Sequence, residues 1–132
     1  MSRLPRAQEF LKTGFNAEAA SAARLRAAAA RAEGEGKPNL ARAVRELAVE
    51  KDALALAQLE ASGQVHGAEQ DLAAALAEER YENVALYPRM VSEVDEATAG
   101  VFRDVVARQQ VHAERLAGLL EALTRSRGDL PA

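Results

Sequence analysis

The chain has 132 residues, 48% of them apolar and 28% charged, with a formal net charge of −3. That is long enough for one folded domain, and it shows none of the basic face that a nucleic-acid binder presents. There is no Cys, hence no disulfide framework, thiolate metal site or Cys nucleophile, and no apolar run approaches the roughly 20 residues that span a bilayer.

The apolar share is mostly Ala and Leu, with three Phe, two Tyr and no Trp. Ala and Leu favour helix, while scarce aromatic and β-branched residues leave little from which to build a sheet. The first predicted helix runs from about Pro5 to about Glu33, with Phe10, Leu11, Phe15, Ala22 and Leu25 at helical spacing. Two glycines and a proline in Gly34-Glu35-Gly36-Lys37-Pro38 end it. The second starts near Pro38, places Leu40, Val44, Leu47, Leu54 and Leu59 on one face, and fades at Ser62-Gly63.

A third helix is expected from near Ala68 through Leu72, Leu76, Val84 and Met90 to about Thr98, kinked rather than stopped at Pro88. Gly100 is read as its end. The fourth then carries Val101, Phe102, Val105, Val106, Leu116, Leu119 and Leu123 on its apolar side, before a frayed tail over 126–132. The order helix, glycine break, helix occurs twice, a weak likeness between halves. Short connections between long helices favour antiparallel neighbours, so the expected fold is all-α, one up-down four-helix bundle over 1–132. Met1-Ser2-Arg3-Leu4-Pro5 lacks the apolar stretch of a secretion signal, which makes a cytoplasmic location the expectation.

Bundles bind metals where carboxylates and imidazoles converge from facing helices, as one Glu from each of two helices and Glu-x-x-His from each of the other two. Several motifs here bear on that arrangement. They are Phe15-Asn16-Ala17-Glu18 followed by Ala22, the break at Glu35-Gly36, Glu79-Arg80-Tyr81-Glu82, Leu86-Tyr87-Pro88, and Val101-Phe102-Arg103 leading to His112-Ala113-Glu114-Arg115. Over roughly residues 8 to 122 the chain resembles the rubrerythrin-type ferritin-like di-iron family, most specifically in Tyr81-Glu82 with Tyr87-Pro88.

Carried over residue by residue, the resemblance puts Glu18, Glu79, Glu82 and His112 at metal-ligand positions. It also shows what is missing. Lys51 and Leu54 stand where the second helix would supply Glu-x-x-His, and Gln109 replaces the Glu before His112. A one-residue shift brings Glu50 into place but sets Ala53 where the His belongs. The two lost carboxylates are those that bridge the irons in such sites. An ammonium carries the metal's own sign of charge and has no free lone pair, so Lys51 is expected either to neutralise the remaining acids in the metal's place or, at helical spacing with Leu47 and Leu54, to snorkel out of the bundle.

The resemblance thus implies a degenerate domain without a complete di-iron site, a structural or binding module with no cofactor, self-associating as a dimer. The alternative is an active relative that reduces peroxide or oxidises iron, a non-haem iron oxidoreductase. It would use a single divalent ion (Fe, Mn or Zn) on Glu79, Glu82 and His112, with a separate electron donor as partner. No catalytic residue is identified: none of Ser2, Ser21, Ser62, Ser92 and Ser126 stands in a His-and-acid pattern, and there is no Gly-rich phosphate loop. His66 is read as a surface residue, and Tyr81 and Tyr87 as core residues.

Overall fold

In the computed structural model the described residues are 6–126 and 128–132; Pro5, expected to open the first helix, lies outside them. Among the described residues there is no strand. The chain divides into two compact units, one ending at Val65 and the other beginning at His66, each a helical hairpin.

In the first unit, α1 (Ala7–Gly34) runs against α2 (Pro38–Ala61). The turn follows the expected chemistry. Gly36 takes φ +76°, which a side chain would strain, and Pro38 opens α2, where its missing N–H leaves no bond unmade. The seam between the helices is built of alanine: Ala22, Ala29, Ala32, Ala41, Ala48 and Ala55 are the buried residues. With methyl groups at these positions the backbones approach closely, and dispersion replaces bulk.

The leucines are the correction. Leu40, Leu47 and Leu54, expected inside, keep 52%, 53% and 51% of their surface, and of that apolar set Val44 packs against the Ala29, Ala32 and Ala41 cluster. Each leucine immediately precedes a buried alanine, and one residue is about 100° around a helix. The hairpin therefore has two unlike faces, one lined by leucine and the other bridged by Arg26–Asp52 and by Arg45–Glu33 at 2.5 Å. The Arg45 guanidinium holds the Glu33 carboxyl below its ordinary range.

The second unit opens with α3 (Ala68–Tyr81). The His66 and Gly67 N–H groups donate to the Asp71 carboxylate and to Gln70 Oε1. Glu82–Leu86 forms a π-helical turn, with the Tyr87 N–H donating to the Glu82 carbonyl, and α4 (Tyr87–Val91) follows. A proline ring inside an α-helix clashes with the carbonyl four residues before it. The wider turn ahead of Pro88 lets the helix carry on, so the proline does not stop it.

The next break differs from expectation. α4 stops at Val91 and α5 begins at Glu96, running to Arg125, so Thr98 and Gly100 lie inside α5. Asp95 is the reason: its Oδ1 accepts the Thr98 N–H at 2.7 Å, satisfying a donor that a helix start leaves free. That bond holds the Asp95 carboxyl below its ordinary range. Leu76, Ala99 and Ala113 are buried, and the Tyr87 and Phe102 rings sit 5.7 Å apart, tilted by 53°. No described helix is long and apolar enough to cross a membrane.

Candidate polar sites

Leu11, Phe15, Glu18, Ala22 and Leu25 alternate in steps of four and three along α1, as do Val44, Ala48, Lys51 and Ala55 along α2. Those steps put Glu18 and Lys51 in the alanine seam itself. There Lys51 Nζ lies 2.9 Å from Glu18 Oε2, with the side chains 36% and 24% exposed. Oε2 is buried and receives no hydrogen bond of acceptable angle, so this contact is electrostatic attraction rather than a directed bond. Leu54, at the other substituted ligand position, turns outward with the leucine face.

In the second unit the carboxylates meet neutral groups. Gln109 Nε2 donates to Glu82 Oε1 at 3.0 Å. This bond fixes the amide, and it leaves Gln109 Oε1 buried without a partner. Glu79 Oε1 lies 3.7 Å from His112 Nδ1, too far for a hydrogen bond, and the imidazole is largely exposed while Glu79 is 20% exposed. Glu79 Oε2 and Asn83 Oδ1 are buried and unpartnered. Asn83 sits in the π-helical turn beside Glu82, and it follows the buried Leu76 and the half-buried Glu79 in steps of three and four, a spacing that could have marked it as facing inward.

Each candidate ligand is thus paired with a substituted or neighbouring position: Glu18 with Lys51, Glu82 with Gln109, and Glu79 with His112. Among the described residues, however, no three His, Asp or Glu side chains gather where they would hold a metal ion. A di-iron centre does not fit this donor set, in which Lys51, Leu54 and Gln109 bring neither carboxylate nor imidazole. His66 is exposed, as expected. Tyr81 departs from expectation at 63% exposure, since the helix turns Glu82 rather than Tyr81 toward α5, whereas Tyr87 is half-buried against Phe102.

Compared with models of known protein families and with curated proteins, the chain matches none.

Proposed function

We propose that this chain is a degenerate ferritin-like helical module that does without a di-iron centre. It serves as a structural or binding component rather than an enzyme, self-associating and cytoplasmic. The observation that carries the reading is the 2.9 Å contact between Lys51 Nζ and Glu18 Oε2. A carboxylate drawn into a helix seam needs a nearby positive charge, supplied either by a bound cation or by the chain itself. Here the chain supplies it. Gln109 offers Glu82 a neutral donor in the same spirit, with no second carboxylate to share a metal.

A second reading has one observation in its favour. Glu79 Oε2, Asn83 Oδ1 and Gln109 Oε1 are buried acceptors without donors, and hard divalent ions take oxygen ligands of this kind. On that reading Glu79, Glu82 and His112 hold one divalent ion.

Elemental analysis of the purified protein, before and after air-free incubation with Fe(II), separates the two. Retention of no metal after dialysis is the expected result. One equivalent per chain, lost in Glu79→Gln but kept in Lys51→Met, would establish the second reading instead. Two equivalents would overturn both.

A further inference from the structure

The leucine face of the first unit carries more than leucine. α1 presents Ser21 and Ala28 one residue before the buried Ala22 and Ala29, as α2 presents Leu47 and Leu54 one residue before Ala48 and Ala55. In an antiparallel pair the same offset falls on the same face. This face therefore has a ridge of large side chains on one helix and a shallow groove of small ones on the other. The ion pairs Arg26–Asp52 and Arg45–Glu33 belong to the opposite face.

Charge follows the same division. Glu50 flanks the ridge three residues beyond Leu47, and Arg24 flanks the groove three residues beyond Ser21. Both are exposed, and neither has an ion-pair partner among the described residues. The cross-helix contacts Arg26–Asp52 and Glu18–Lys51 place Glu50 and Arg24 at about the same height along the hairpin.

We propose that this face is the self-association surface, binding the same face of a second copy about a two-fold axis parallel to the helices. That axis keeps height and exchanges left for right. The leucine ridge of each α2 then enters the groove on the partner's α1, and Glu50 meets Arg24 of the partner subunit. Ridge with groove and acid with base on one surface is what an isologous contact requires. The area also suffices: α2 has 24 residues, and a face about 36 Å long and two helices wide covers roughly 700 Å² per chain, in the range of stable interfaces. The proposal rests on the self-associating reading above and adds the surface responsible.

The test is a charge swap on the full chain, read by sedimentation equilibrium, with far-UV circular dichroism to confirm that helix content is unchanged. The unmodified protein is expected to be a dimer. Glu50→Arg and Arg24→Glu, both on exposed helix positions, each turn two attractions into two repulsions and should weaken the dimer by about tenfold. The double variant should return to near the original affinity. A dimer indifferent to all three variants overturns this face and leaves self-association standing. A monomer at about 0.2 mM, well above typical dimer constants, overturns both. If, in that monomer, a lone Leu47→Cys thiol labels slowly, the chain covers the leucines with its own remaining residues.

Discussion

In the first hairpin a carboxylate meets an ammonium inside a seam of alanines; in the second, carboxylates meet an amide and an imidazole beside a π-helical turn. Both hairpins draw acids toward an apolar contact, and each meets the electrostatic cost differently. Opposite charge compensates Glu18 directly at 2.9 Å. Hydrogen bonding to a neutral donor compensates Glu82 and leaves Gln109 Oε1 without a donor, and Glu79 Oε2 and Asn83 Oδ1 in the same hairpin have none either. Among the described residues, the one orphaned acceptor of the first hairpin, Glu18 Oε2, lies against a positive charge; in the second the orphaned acceptors have no such neighbour as close. A charged partner satisfies a carboxylate whatever its exact angle, whereas an amide serves one oxygen and leaves its own carbonyl wanting.

The strongest way to break the comparison is to disturb the seam. Ala29→Leu, at a fully buried position, forces the helices apart and is expected to cost about 1–3 kcal/mol in urea unfolding. Leu40→Ala on the open face should cost well under that. Next comes the ion pair: Lys51→Met is expected to cost about 1–2 kcal/mol, between the exposed and buried limits for removing one partner. Adding Glu18→Gln to Lys51→Met should recover part of the loss, and a double-mutant cycle with no coupling would refute the compensation argument.

In the second hairpin, Gln109→Leu removes both the donor to Glu82 and the orphaned carbonyl. Its expected cost is about 1 kcal/mol or less, because one loss offsets the other. A cost as large as that of Lys51→Met would erase the contrast between the hairpins.

The smallest effect concerns pH. Asp95 and Glu33 have carboxyl pKa values depressed in the folded chain, by the Thr98 N–H and by the Arg45 guanidinium. A depressed folded pKa gives stabilisation present above the ordinary carboxylate range and lost as pH falls through the folded value. Asp95→Ala should therefore lower Tm slightly at pH 7 and flatten the Tm profile on the acid side. A profile parallel to that of the unmodified protein would show that the cap contributes nothing.

Much of this was legible in the sequence, unevenly. The Gly34–Pro38 break, the start at Pro38 and the fading at Ser62-Gly63 were readable because glycine and proline act locally, through φ and a missing N–H. Asp95 was also local, yet Gly100 five residues on looked the stronger signal. A glycine inside an exposed helix costs only about 1 kcal/mol, which the packing of a 30-residue helix absorbs. The burial of Ala41, Ala48 and Ala55 in place of Leu40, Leu47 and Leu54 was not readable from hydrophobicity. Both stripes have the same period, and only the partner helix decides which faces inward. The Glu18–Lys51 contact was one of two open readings of Lys51, and it came from the resemblance, which set both residues at ligand positions. Asn83 was legible too, seven residues beyond the buried Leu76, but its lack of a hydrogen-bond donor was not.

That turn also makes chain length a mechanical variable. Glu82–Leu86 winds wider than the helix on either side, so the stretch holds a residue that ordinary winding has no room for. Deleting one residue there returns the stretch to ordinary winding, so the helix on either side keeps its facing while the room ahead of Pro88 is lost. The Tyr87 ring stays on the side of Phe102, 5.7 Å away, but the Pro88 ring is driven into the carbonyl four residues earlier. Substitutions in these five positions are matters of packing, but a gap among them is a change of gear.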